Sequence, residues 1–210
     1  MTRPSALFAF LIYVCAFIVG GVLMGFEMLG SRYLFPYFGG GIGTWASLIS
    51  TVLCALAIGY FAGSAIVAHH PSQRSIGSAI LIAAIYLALV PGTADPVMSK
   101  ILDSIGDGAS PTLFASTALL LVPLTLLGTF SPIAVSLLTR SANDAGRVAG
   151  LVYGVSTIGN VVGTLVTTFM LIPAIGSRNI TYIFAATLAA CAGVLFLHPP
   201  ERVSSDKGVA

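Results

Sequence analysis

Charge is what this sequence has least of. Nine basic and seven acidic side chains amount to 8% of 210 residues, against about 25% in soluble domains. So few charges do not coat a water-facing surface. The formal net charge of +2 is small and dispersed, which argues against a nucleic-acid partner. Cysteine is sparse as well. Cys15, Cys54 and Cys191 each stand inside an apolar block, with no CxxC and no metal-ligand spacing, so they read as buried thiols. His69 and His70 have no carboxylate or cysteine beside them, and no metal site is expected. Gly39, Gly40, Gly41 and Gly43 follow no strand and lack the GxGxxG spacing of a phosphate cradle. No nucleophile, general-base pair or cofactor motif is visible. Neither catalysis nor a cofactor is expected.

What is present is apolar and comes in long blocks. Hydrophobic residues make up 57% of the chain, and the mean hydropathy is +1.00. A hydrocarbon core about 30 Å thick requires about 20 apolar residues per spanning helix. Six blocks stand out: about 6–30, 44–68, 76–92, 112–139, 148–174 and 178–197. None alternates polar and apolar as barrel strands do. The expected fold is all-α and polytopic, with six transmembrane helices in one domain, 1–197, and the lipid bilayer as solvent. A polar tail, 198–210, is expected to be disordered and cytoplasmic. The apolar run from Ala6 to Phe26 is longer than the roughly 7–15 residues of a signal-peptide core, so it reads as a retained first span. With the N-terminus inside, the inner segments hold Arg3, Arg74, Arg140, Arg147, Arg202 and Lys207. The outer ones hold Arg32, Lys100 and Arg178. That excess places both termini in the cytoplasm.

Two outer connections carry more than turn residues. Within 93–111, Asp95 suits a helix cap, Pro96 a first helical position and Gly106 a helix end. Val97, Met98, Ile101, Leu102 and Ile105 share one helical face. A short interfacial helix near 96–106 is expected. The stretch Ser31–Thr44 gathers Tyr33, Phe35, Tyr37 and Phe38 with Pro36 and four glycines, and Trp45 follows. It is expected to be an aromatic interfacial loop, or one that dips in to line a cavity.

Ionisable groups inside spans usually face a cavity or a partner. Glu27, near the outer end of span 1, is the clear case. Arg32 lies about 140° further round a continuous helix, so pairing with Glu27 needs a break at Gly30-Ser31. Arg178, at the start of span 6, is the other candidate partner. Two readings stay open: Glu27 binds a cation or proton, or it sits in a fixed ion pair. In span 5, Tyr153, Ser156, Asn160, Thr164 and Thr167 share one side, to line a pathway or to join helices by hydrogen bonds. Gly21/Gly25, Gly59/Gly63, Gly150/Gly154 and Gly159/Gly163 let helices approach closely. The candidate set for substrate or ion binding is therefore Glu27, Arg32, Tyr153, Ser156, Asn160 and Arg178.

Several of these motifs occur together in one known family. They are Glu27-Met28-Leu29-Gly30-Ser31-Arg32, Pro36-Tyr37-Phe38-Gly39, Trp45 and Gly59-Tyr60-Phe61-Ala62-Gly63. Further along come Leu127-Gly128, Ser131-Pro132, Ala145-Gly146-Arg147, Tyr153-Gly154, Gly163-Thr164 and Ile172-Pro173 with Gly176 and Arg178. In that order they resemble the membrane half of the bacterial fused major-facilitator/spermidine-synthase proteins, over about residues 8–197. The resemblance implies six helices like half of a major-facilitator-type carrier, in a bacterial inner membrane. It also implies transporter-like work on a polyamine-like or other small cationic or zwitterionic metabolite, as a homo-oligomer or with a partner subunit. The glycine-rich, Asp-containing loop of the synthases is absent, so aminopropyl transfer is not expected. The turn Ala68-His69-His70-Pro71 departs from the carriers' charged signature after span 2. The alternative is a membrane anchor for a separately encoded spermidine-synthase-like enzyme, docked at 69–75 and 140–147.

Overall fold

The structure is a computed structural model that describes residues 5–69 and 72–197. The tail 198–210, expected to be disordered, lies outside the described residues, as do Arg3 and His70. Among the described residues there are seven α-helices and no strand: α1 (Ala6–Phe38), α2 (Ile42–His69), α3 (Gln73–Ile105), α4 (Ala109–Gly128), α5 (Phe130–Leu138), α6 (Ala142–Val166) and α7 (Ile172–Leu197). A π-helical turn, Thr167–Leu171, joins α6 to α7. Five continuous helical stretches are long and apolar enough to cross a membrane, the last being Ala142–Leu197. Large apolar side chains point outward along them, such as Leu53 at 61%, Phe61 at 77% and Phe169 at 72% exposed. A bilayer tolerates such a surface and water does not. The protein is thus built as an integral membrane protein.

Two helices run further than the apolar blocks suggest. The expected interfacial loop 31–44 is mostly helix: α1 passes Gly30-Ser31 unbroken and runs through Pro36 to Phe38. It stops at Gly39, whose φ of 70° suits glycine and whose N–H bonds the Phe35 carbonyl at 3.0 Å. The extension is held by burial of Tyr33 and Leu34 and by a 3.0 Å hydrogen bond between the Tyr33 and Thr181 hydroxyls. Likewise, the separate interfacial helix near 96–106 does not form. Those residues are the last turns of α3, which passes through Pro91 and Pro96 and ends at Gly106. Asp95 does not cap. Ala94 and Met98 are buried, and that packing outweighs the loss of one backbone bond at each proline. At 33 residues, α1 and α3 each extend about 50 Å and outreach the hydrocarbon core.

Glycine contacts fix the helix directions. From the end where α1 begins, here called the near end, Gly159 meets Phe17, Gly163 meets Gly21 and Thr167 meets Gly25. So α6 runs with α1. Then Thr181 meets Tyr33, Phe184 meets Gly25 and Cys191 contacts Cys15, so α7 runs back. The reversal centres on Gly176, at φ 75° and ψ 158°, a region open only to glycine. Similarly α2 runs with α4, through Gly59 on Thr125 and Gly63 on Thr129 and Pro132. α3 runs against α7, with Gln73 bonded to the Leu195 carbonyl and Arg178 to that of Pro91.

The principal packings are α1 on α6, α2 on α4, and α3 on α7, followed by α3 on α4 and α1 on α7. Exchanging α1 with α4–α5, α2 with α6 and α3 with α7 leaves that set unchanged. Each exchanged pair runs in opposite directions, so the bundle is arranged as two inverted three-helix repeats. The sequence marks the relation at one place: Ile58-Gly59 with Gly63, and Ile158-Gly159 with Gly163. Each pair sits on the middle helix of its triplet, at the closest helix crossing.

The α1–α7 packing has a direct test. Cys15 and Cys191 are buried against each other, whereas Cys54 is exposed. A membrane-permeant oxidant such as copper–phenanthroline is expected to join Cys15 to Cys191 within one chain. With a protease site placed in the 139–141 connection, the cut fragments should stay joined until reductant is added. Fragments that part without reductant would contradict this packing.

Candidate functional site

Glu27 is buried, at 7% exposed, and makes no ion pair or hydrogen bond with any described residue. Neither expected partner reaches it. Arg32 is exposed and points into a cleft. Arg178 is engaged elsewhere: its Nε donates to the Pro91 carbonyl at 3.0 Å, Nη2 donates to the same oxygen, and Nη2 lies 4.0 Å from the Asp95 carboxylate. The Tyr37 hydroxyl donates to Asp95 at 3.3 Å. Arg178 therefore fastens α7 to α3 at the far end of the bundle, and Asp95 joins α1 to that clamp.

The face of α1 that carries Glu27 also carries Gly20 and Ser31, within about 20° and 40° of it. A Cβ on Gly20 would lie 2.9 Å from Asn160 Oδ1 and 3.0 Å from Ser156 Oγ. Two of the expected pathway residues therefore stand together against α1, about two turns nearer the near end than Glu27. One turn toward the far end, Ser31 lines a cleft of about 290 Å³ with Arg32, Phe35, Thr44, Trp45 and Thr168. Arg32 is the one charged residue of that lining, and it makes no ion pair or hydrogen bond with any described residue. Tyr153 stands apart from the other two α6 residues. Its ring meets Tyr60 of α2 edge to face, centroids 6.4 Å apart, and it is 41% exposed.

Among the described residues, the buried polar atoms without a hydrogen-bond partner include Thr51 Oγ1 on α2, Asn160 Oδ1 on α6 and Thr168 Oγ1 in the π-turn. Leaving such an atom unsatisfied costs about 1–3 kcal/mol. Thr164, by contrast, donates to the Asn160 carbonyl at 2.9 Å within its own helix, and Thr167 packs against Gly25. The polar stripe of α6 thus divides: Ser156 and Asn160 face α1, while Thr164 and Thr167 are spent on packing. Thr51, Thr168, Thr44 and Tyr60 were not legible as site residues, since single hydroxyls in apolar blocks carry no spacing signal. The π-turn that places Thr168 at the cleft is the kind of helix irregularity found at functional sites. Among the described residues no cluster of three metal-ligating side chains occurs.

The arrangement is that of an all-helical membrane protein with a buried carboxylate, unpaired hydroxyls and a cleft opening beside an arginine. Compared with protein-family models, with curated proteins and with solved structures, the chain has no match.

Proposed function

We propose that the chain crosses the membrane six times and works as a transporter-like half carrier, similar to the membrane half of the fused major-facilitator/spermidine-synthase proteins. The reversal at Gly176 and the inverted packing of the two triplets support six crossings and the carrier-like architecture. The excess of Arg and Lys in the sequence segments assigned to the inner side supports cytoplasmic termini, and the resemblance to the bacterial fused proteins implies the inner membrane. A second copy or a partner subunit supplies the other wall of the pathway.

The observation that carries this reading is Glu27, a buried carboxylate with no counter-charge among the described residues. Such a group is costly in a membrane unless a cation completes it. A fixed ion pair would have made Glu27 structural, and neither arginine provides one. Arg32, five residues on at the cleft, offers a complementary charge for an anionic group. These charges suit a small cationic or zwitterionic metabolite, its ammonium toward Glu27 and any carboxylate toward Arg32, and the family resemblance implies that it is polyamine-like.

The test is flux. The full chain, purified and reconstituted in vesicles, is expected to move a labelled polyamine or a zwitterionic amino acid faster than protein-free vesicles do. If neither class binds or crosses, with the protein folded and inserted, the carrier reading is wrong.

A further inference from the structure

At the near end, where α1, α5 and α6 meet, a small cleft of about 60 Å³ is lined by Tyr13, Leu138, Arg140, Asp144, Arg147 and Val148, with Ala9. That volume holds a few waters or one small anionic group such as a phosphate. Arg140 and Arg147, both exposed, line the cleft, and neither makes an ion pair or hydrogen bond with a described residue. The Tyr13 hydroxyl is likewise unengaged. Each guanidinium carries five N–H donors in a planar fork that matches phosphate oxygens two at a time. Asp144 is the opposing charge. Its carboxylate already accepts from Ser141 Oγ at 3.2 Å and sits in the first turn of α6, where the helix dipole offsets it. The cleft therefore keeps an excess of positive charge and a surplus of donors.

What surrounds the cleft identifies the carrier of the phosphate. Leu138 and Val148 form a buried apolar floor. Phe10 and Phe17 stand three before and four after Tyr13, on the same face of α1, and Leu151 stands four after Arg147 on α6. They are 63%, 37% and 44% exposed. Apolar surface thus continues from the cleft along the bundle, in the direction acyl chains would take. A soluble anion makes no use of that surface, and a soluble protein does not reach it. We propose that this cleft binds the headgroup phosphate of an anionic phospholipid, with Arg140 and Arg147 clasping the phosphate, Tyr13 donating a further hydrogen bond, and the acyl chains lying over Phe17 and Leu151. The site is separate from Glu27 and from the cleft beside Arg32, and stands whether or not the chain is a carrier.

The experiment is lipid titration of the full chain in neutral detergent, followed by native mass spectrometry. The probes are phosphatidylglycerol, phosphatidylcholine, glycerol phosphate and inorganic phosphate. Phosphatidylglycerol is expected to stay bound in preference to the other three. The double variant Arg140→Gln, Arg147→Gln is expected to bind it about tenfold more weakly, as loss of charge-assisted hydrogen bonds requires. Arg74→Gln, at the same end but outside the cleft, is expected to bind as the wild type does. Should the double variant fail to fold, Tyr13→Phe keeps the packing and removes one donor, and its affinity is expected to drop about threefold. Unchanged affinity in a folded variant would overturn the site. Equal retention of glycerol phosphate or inorganic phosphate would overturn the lipid assignment, and so would a soluble protein bound through these arginines in place of lipid.

Discussion

Gly163→Ala is expected to destabilise this protein by about 3 kcal/mol, from one methyl group. A Cβ at position 163 would lie 2.5 Å from the Gly21 Cα and 2.6 Å from its carbonyl carbon, with the carbonyl oxygen closer still. Those atoms are backbone, so no side chain can rotate away. The whole α1–α6 crossing would have to open by about an ångström, and α1 also packs against α4 and α7. Gly150→Ala and Gly154→Ala lie on the same helix but meet open space. They are expected to change stability by no more than about 0.5 kcal/mol, with a small gain in helix propensity. Thermal unfolding of the three variants in one detergent makes the comparison. Equal stability of all three would mean that α1 and α6 do not cross at Gly21 and Gly163.

Glu27→Gln is expected to lower substrate flux about 100-fold while leaving the fold intact. Removing one partner of a desolvated charge pair typically costs 2–5 kcal/mol or more, and about 2.7 kcal/mol is a factor of 100. Stability separates the two readings of this residue. Were Glu27 locked in an internal ion pair, Gln would strand a buried cation and destabilise the fold by about 3–5 kcal/mol. Glu27 has no such partner among the described residues, so the nearly isosteric Gln strands no buried cation and the unfolding temperature should hold or rise. Uptake by reconstituted vesicles, measured beside thermal unfolding, reads both quantities. Undiminished flux with a stable fold would take Glu27 out of the mechanism. A collapse in stability would assign it a structural role.

Much of the bundle was legible in the residues, in uneven ways. The apolar blocks fell within the membrane-length helical stretches, because hydrophobic length is a local property, but the six blocks correspond to five such stretches, the last two joined in Ala142–Leu197. Their ends were less legible. α1 and α3 continue past the blocks since Tyr33, Ala94 and Met98 gain buried contacts beyond them, and those contacts come from other helices. Glu27 stood out as the ionisable residue within a span, but its lack of a partner did not. Arg178 looked like a partner for Glu27 because both lie toward the same end. Pro91 and Asp95, which it binds, lie more than eighty positions earlier in the chain. The glycine pairs announced close packing without naming the neighbour. Gly59 and Gly63 chose α4 and α5; Gly159 and Gly163 chose α1.

The sequence by itself determined that this is a helical membrane protein, since scarce charge and long apolar runs allow little else in a bilayer. It also determined where a carboxylate would be buried. Only the tertiary structure decided which helices pair, that α7 runs back along α1, and that the side chains of Glu27, Asn160, Thr51 and Thr168 find no hydrogen-bond or ion-pair partner for their buried oxygens among the described residues. The physical reason is geometric. Each residue turns a helix by about 100°, so a stripe of polar or small side chains specifies a face, while the helix it meets is set by packing among segments far apart in the chain.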